Sequence, residues 1–502
     1  MCDPFILPIE KESSSHIKGG KRETMSDMTS TKALAFEPLR FGGVTMFTTL
    51  YDPSDLPGTS VDPLGFERGY VALADVLLPG MTTITETPRY LSMIAGGITL
   101  AQAVVGDEPH TAKSEEKVLE IIQRMERLWA VSSVLFWNTH PEATSGDWGS
   151  IRGITYAEHQ LKLLLESGST HLADLEFQFL RQQRLTGGLG TYRSLMESAG
   201  LLFSGEWRLT PDLGVPLGEM FIESTGGSQV KKAIVYGEPV SVARLIRWGE
   251  KAHPAARMLS HEQELLREGM LQGTEGTYRA CTFCLLRESM SVLEETGVVD
   301  AELKTMQEMD RIIRSGKRYR KIPDEISTAV GAALRIIPAY ETVYRVLSLA
   351  FERILWLVKR TPGGLPADQI QKDRIVRRAA GEIKTSCVRL EKILSGESSL
   401  PKTTHDSIKD AVDAVRASAL TADNTGEFVR SVIARHKDVQ NGKFDKGRRK
   451  SAWVVEEGGF YRLTFSRPGG LSREVSDAAE IGPHPYRLYN ALRFLRALNV
   501  KP

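Results

Sequence analysis

The sequence predicts a mainly α, multi-domain protein that ends in a small α+β module. Apolar residues recur at spacings of three and four through most of the stretch from Phe66 to Leu394, the period of helices with one buried face. Strand-like alternation around a glycine turn is confined to short segments, chiefly residues 201–209 and 452–465. With 502 residues, 41% of them hydrophobic, the chain has material for about two to four domains with real cores. Composition shifts divide it into a polar tail at 1–32, an N-terminal helical domain at 33–145, a compact unit at 150–225, a helical domain at 230–400 and a basic C-terminal module at 401–502.

Residues 1–32 carry a serine run and scattered charges, too little apolar surface for a core, so a disordered tail is expected. Residues 41–50 read as a short extended entry. Asp62-Pro63 is a turn, and residues 66–78 read as a helix with Tyr70, Leu73, Val76 and Leu77 inward, stopped by Pro79-Gly80. A second helix is expected to start with Thr87 as N-cap and Pro88 in the first position. Thr82, Thr83, Thr85, Thr87 and Arg89 form a polar cluster there. It reads either as an anion or nucleotide pocket at a helix N-terminus or, more simply, as a solvated and well-capped helix junction. Residues 113–137 form an amphipathic helix through Val118, Ile121, Ile122, Met125, Leu128 and Trp129. Residues 138–153, rich in Gly, Pro, Ser and Asp, are a loop and a domain boundary.

In the 150–225 unit, helices are expected over 155–167 and 171–184, the latter with Leu172, Leu175 and Phe179 at helical spacing. After Gly187-Gly188 comes a helix with Thr191, Leu195, Met196, Gly200 and Leu201 on one side and Arg193, Ser194, Glu197 and Ser198 facing away. Gly200 suits the left-handed cap. Residues 201–203 and 206–209 pair around Ser204-Gly205, and Thr210 caps a helix that opens with Pro211. This order of helix, short ribbon and helix resembles the second half of a winged helix. The resemblance implies that Tyr192, Arg193 and Ser194 stand near the start of a recognition helix and that Trp207 and Arg208 stand on the wing, where they would contact double-stranded DNA. Winged helices also serve as protein-docking modules, so the fold alone leaves both uses open.

Residues 223–231 read as a linker without the Gly-Lys-Ser/Thr spacing of a phosphate loop. From 233 to 396 nearly everything is helical. Cys281 and Cys284 form a CxxC inside a helical run. No second cysteine pair or suitably spaced histidines accompany it, so the two are expected to pack as small apolar residues and not as a metal or redox centre. Residues 341–359 form the most apolar helix, with a narrow polar stripe of Glu341, Arg345, Ser348 and Glu352 left to solvent. Ile370, Val376, Ile383, Val388, Leu390 and Leu394 continue a slow rhythm, most simply a hairpin packing back on that helix. Residues 452–465 alternate around Glu457-Gly458-Gly459 as a β-hairpin, and 486–498 is a last amphipathic helix.

The net charge of +1 exerts no global pull on nucleic acid or membrane, so phosphate affinity must come from local clusters. Three stand out: residues 311–321, Arg374-Arg377-Arg378, and residues 443–450, where Lys446, Arg448, Arg449 and Lys450 sit in a glycine-containing loop expected to be mobile. Four cysteines imply a reducing compartment. With no signal-peptide pattern and no uncharged stretch long enough to span a bilayer, the cytoplasm is the expected location and no membrane partner is expected.

No Gly-x-Ser-x-Gly elbow or His-Glu-x-x-His pair occurs, and no catalytic residue, cofactor or metal is expected. Asp62-Pro63-Leu64-Gly65, Leu77-Leu78-Pro79-Gly80, Thr85 and Arg89-Tyr90, with the C-terminal block, resemble a family of uncharacterised bacterial proteins encoded near phage-defence genes. That resemblance implies a genomic context and partner subunits of a defence complex, not a chemistry. The expected function is a non-enzymatic DNA-associated subunit of such a complex. The alternatives are a docking scaffold without nucleic acid, and an enzyme subunit with a site near Thr85 and Arg89.

Overall fold

Asp62 begins the described chain by capping its first helix. Its carboxylate accepts from the amides of Gly65, Phe66 and Glu67 at 2.7–2.9 Å. The computed structural model describes residues 62–106, 112–140, 151–180, 182–295, 300–319, 322–361, 363–419, 424–445, 448–464 and 474–500. The expected tail at 1–32, the extended entry at 41–50, Cys2 and Lys446 lie outside the described residues.

The first helices are α1 (Glu67–Leu77), α2 (Arg89–Val105), α3 (Ala112–Thr139) and α4 (Ile154–Glu166). The strand β1 (His171–Leu172) follows, then α5 (Gln183–Thr186), α6 (Gly188–Ser198), α7 (Gly214–Thr225), α8 (Lys231–Tyr236), β2 (Val240–Ser241) and α9 (Val242–Ala252). Helix α2 lies between α3 and α7, and α9 packs along α3. The approach of α7 to α2 needs a residue without Cβ at Gly218. A Cβ there would stand 2.1 Å from Thr99 Oγ1 and 2.7 Å from the Ala95 carbonyl. The linker expected at 223–231 is instead a tight turn: Gly226 takes φ +70° and a single 3-10 turn, Gly227–Gln229, leads into α8.

The rest is built on α10 (Ser260–Leu271), α11 (Gly273–Glu294), α12 (Ala301–Arg314) and the 36-residue α13 (Asp324–Lys359), which runs through Pro338. After β3 (Leu365–Pro366) and α14 (Ala367–Lys372), α15 (Arg374–Gly396) returns along α13, as the hairpin reading expects. Its face of Val376, Ala379, Ile383, Cys387 and Leu390 is fully buried. Helices α16 (Lys402–Ala419) and α17 (Thr425–Asn441) complete this layer. Two ribbons follow, β4 (Phe444–Asp445) with β5 (Arg448–Arg449), and β6 (Val454–Glu457) with β7 (Phe460–Leu463). The latter turns on Gly458 and Gly459, both at positive φ (+59° and +80°), as a two-residue hairpin of this hand requires. β7 also takes β3 as a third strand. The chain closes on α18 (Leu488–Ala497).

The polar stripe of α13 is not solvent-facing. The segment before α18 lies over it, and Glu341, 1% exposed, accepts from His484 Nδ1 at 2.8 Å and from the Tyr486 hydroxyl at 2.7 Å. Arg345 forks onto Asp300. Glu302, also buried, accepts from the amides of Tyr486 and Leu488, capping α18 from a neighbouring helix. The main hydrophobic core runs from Leu64 to Val500, beside a small second cluster of Leu349, Ile375, Val475 and Ile481. Among the described residues, no helix is long and apolar enough to cross a membrane.

Candidate nucleic-acid interface

The unit around α6 assembles from ordinary local signals. Leu189, Tyr192, Leu195 and Met196 bury one face of α6. Gly200, at φ +65°, reverses the chain, and the Leu201 amide closes onto the Met196 carbonyl at 2.9 Å. The expected ribbon is present in minimal form. Leu202 pairs with Leu209, the Phe203 amide donates to the Arg208 carbonyl at 3.0 Å, and Gly205 makes the turn at φ +77°. Thr210 does not start the next helix as expected. Its hydroxyl donates to the Gly200 carbonyl at 2.5 Å and accepts from the Gly214 amide at 3.1 Å, so α7 begins at Gly214 and residues 211–213 form a turn.

The helix expected at 171–184 is not formed over 171–180, and only its last residues, 183–184, are helical, in α5. Leu175, Phe177 and Phe179 are all buried, with exposed residues between them, which is the period of an extended chain. The spacing of Leu172, Leu175 and Phe179 imitates a helix only when Phe177 is left out. β1 pairs with β2, not with the ribbon at 202–209. Glu176 fixes the extended segment to α3 through Arg124 and Arg127 at 2.6–2.7 Å.

Tyr192 is not at a binding surface. It is fully buried, stacked on Tyr90 at 4.6 Å between ring centroids, and its hydroxyl accepts from the amides of Glu86 and Thr87 at 2.8 and 3.1 Å. Burial pushes its phenol well above the ordinary range, with the two amide bonds acting in the opposite sense. Ser194 is exposed and Trp207 half-buried. Arg193 is held by Glu197 at 2.8 Å and lies over the Trp207 ring at 4.5 Å. Arg208 is held by Glu206 at 2.9 Å and lies over Phe203 at 4.2 Å. Both cations of the unit are thus paired with a carboxylate, which weakens the local field that a phosphate backbone would read.

The threonine cluster is neither an open pocket nor a solvated junction. Thr85 is fully buried and its hydroxyl closes a turn with Thr82, while the free amides at 86 and 87 are taken by Tyr192. The assigned helix α2 starts at Arg89, Pro88 before it is already helical at φ −64°, and the Thr87 hydroxyl accepts from the Arg89 amide at 3.4 Å. Arg89, 2% exposed, pairs with the fully buried Glu262 at 2.5 Å and donates to the Lys251 carbonyl at 2.8 Å. Burial draws its pKa down and Glu262 opposes that. Arg89 is committed to holding α2 against α9 and α10.

The three basic clusters differ in one respect that the sequence does not display. In the first, Arg311 pairs with Glu308, Arg314 with Asp310, Lys317 with Glu288 and Arg318 with Asp324, all at 2.5–2.9 Å. In the second, Arg378 pairs with Asp477, but Arg374 and Arg377 have no acidic partner among the described residues. The same helix continues that unpaired series at Lys384, Arg389 and Lys392, three positions that a search for adjacent cations passes over. Their offsets of seven, five and three residues, running on from Arg377, are legible in the sequence once a helix is assumed. The third cluster is not a loose loop. Phe444 pairs with Arg449 and Asp445 with Arg448 in an antiparallel ribbon, extended by the Lys450 amide donating to the Lys443 carbonyl at 2.9 Å. Arg449 is exposed and Lys450 half-buried, while Lys443 is anchored to the Asp62 carbonyl at 2.6 Å.

Cys281 is buried and Cys284 half-buried on α11, as apolar packing expects, and burial pushes the Cys281 thiol up to about 12. Comparison of the chain with protein-family models, with curated proteins and with solved structures gives no match in any of the three.

Proposed function

We propose that this chain is a non-enzymatic, DNA-associated subunit of a larger assembly, and that it holds double-stranded DNA by its phosphates. The observation that carries the reading is the ribbon β4–β5. Five of the eight residues from Lys443 to Lys450 are cations, and the backbone pairing of 444–445 with 448–449 makes a two-stranded ribbon at the end of α17. Such a ribbon meets a polyanion without sequence preference. The resemblance carried by Asp62 to Gly65, Leu77 to Gly80, Thr85 and Arg89-Tyr90 supports a place in an anti-phage complex. Within this reading the winged-helix-like unit docks a protein partner, because Arg193 and Arg208 are each held by a carboxylate and Tyr192 is internal. Replacing Lys446, Arg448, Arg449 and Lys450 together by alanine is expected to weaken duplex binding equally for all sequences. The slope of log affinity against log salt should flatten by about 3–4, at about 0.9 per phosphate contact. Binding by the quadruple variant equal to wild type would remove the ribbon from the reading and leave the docking scaffold.

A further inference from the structure

We infer that the exposed face of α15 is a second phosphate-contacting surface, shaped for the backbone of duplex nucleic acid. The inference rests on the nucleic-acid reading above but on different residues. Helix α15 turns its apolar face onto α13 and shows solvent Arg374, Arg377, Arg378, Lys384, Arg389 and Lys392, against one exposed acid, Glu382. At about 100° per residue, all six cations fall within about 80° of the midline of that face, and the row from Arg374 to Lys392 is about 27 Å long. Gly381 and Thr385 lie within about 20° of the midline, with Arg377 and Lys384 to one side, Arg378 and Arg389 to the other, and Arg374 and Lys392 at the two ends; a Cβ at Gly381 would meet nothing within 4 Å.

Local stability does not account for this arrangement. The first turn of α15 carries Arg374 and Arg377, with Arg378 one position on, at the end of the helix where the macrodipole disfavours cations; the carboxylate at that end is the N-cap Asp373, which accepts from the Ile375 and Val376 amides at 2.9 and 3.1 Å. Acids nearby are already engaged: Glu382 with Arg378 at 3.8 Å, Glu391 with Arg416 at 3.0 Å, and Asp373 with Arg353 at 2.9 Å. Arg374, Arg377, Lys384, Arg389 and Lys392 have no acidic partner among the described residues. One N-cap carboxylate does not offset five unpaired cations along one exposed helix face, and such a surplus marks a surface kept for a partner. The partner is polyanionic by charge complementarity. It is double-stranded because α15 contains no aromatic residue, whereas single-strand binders stack bases on aromatic rings. The row covers about eight base pairs of rise at about 3.4 Å each.

The test replaces Arg377, Lys384, Arg389 and Lys392 by glutamine, which keeps the helix propensity of exposed positions. Binding of a fluorescein-labelled mixed-sequence duplex is followed by anisotropy across a salt series, beside wild type and the ribbon variant. The inference predicts at least a tenfold (~10×) loss of affinity, a salt slope flatter by about 3–4, and recovery of most binding in an Arg377→Lys, Arg389→Lys variant. If wild type binds and the glutamine variant matches it in affinity and slope, this inference falls while the ribbon reading stands. If wild type fails to bind at low salt, both fall. If the glutamine variant loses binding to phosphatidylserine vesicles but keeps duplex binding, the face reads a lipid surface and the inference is overturned.

Discussion

His436 shows how burial fixes a protonation state. The ring is fully buried on α17. Its Nε2 accepts from the Trp453 amide at 2.9 Å, so the proton sits on Nδ1, which donates to the Pro63 carbonyl at 2.9 Å. Burial pushes its pKa down to about 4, against an ordinary value of 6.5. The unfolded chain therefore binds more protons between those values, and the stabilising contribution is present above about 6.5 and lost as pH falls toward 4. It is worth on the order of 3 kcal/mol. A His436→Gln variant is expected to unfold at lower denaturant at pH 7.5 (~neutral) and to show a shallower fall in stability below pH ~6.5 than wild type. Parallel curves for the two proteins would contradict the assignment. Arg279 is the counterpart among cations. It is fully buried, and the partners that hydrogen-bond it are the Met270 and Pro79 carbonyls at 2.8 Å, the Ser198 hydroxyl at 2.7 Å and carbonyl at 3.1 Å, and the Gly269 carbonyl at 3.5 Å. Most of these are C-terminal carbonyls of α6 and α10, which carry the negative ends of the helix dipoles. Burial lowers its pKa to about 10, still charged at neutral pH. Arg279→Met leaves those carbonyls unsatisfied and is expected to cost about 3–5 kcal/mol. A loss under about 1 kcal/mol in denaturant titration would show that water replaces it.

At the scale of elements, α6 is placed by close approach at its first residue. The Gly188 amide donates to buried Glu126 at 2.5 Å, and a Cβ at Gly188 would stand 2.4 Å from the Tyr90 ring. That ring cannot move away, since Tyr192 stacks on one side and Trp129 meets it edge-on at 4.6 Å. Helix propensity alone favours alanine here by about 1 kcal/mol, but the clash costs about 1–3 kcal/mol. Gly188→Ala is therefore expected to lower the melting temperature, and an unchanged or higher value would show that the contact yields. Elements with a clean period were legible in the sequence: α1, α3, α6, the β6–β7 hairpin and the return of α15 on α13. The segment 171–184 was not, because Leu172, Leu175 and Phe179 satisfy a helical period while Leu175, Phe177 and Phe179 satisfy a strand, and tertiary anchoring of Glu176 decides between them. The polar stripe of α13 was misread for a related reason. A stripe of Glu341, Arg345 and Ser348 has the same pattern whether water or a distant segment bearing His484 and Tyr486 covers it.

Across the whole molecule, what distinguishes surfaces is the pairing of charges, and pairing is a property of the fold. Residues 311–321 look as basic as α15 in sequence, yet among the described residues Glu308, Asp310, Glu288 and Asp324 pair with Arg311, Arg314, Lys317 and Arg318, two of the acids coming from other helices. The candidate site was accordingly legible only in part. The ribbon cations stand out as a contiguous run, whereas Lys384, Arg389 and Lys392 become a surface only when α15 is known to bury its opposite face. Surface pairs of this kind add little stability, so their consequence is the shape of the field. The central claim is therefore that the cations of the ribbon and the unpaired cations of α15 hold DNA by its phosphates. The most direct test is the affinity of the unmodified protein for duplex DNA between about 50 and 200 mM salt. The account predicts a linear fall of log affinity with log salt at a slope steeper than about −5, a loss of roughly a thousandfold over that range. No binding at about 50 mM salt, or binding with a slope between 0 and about −1, would contradict it.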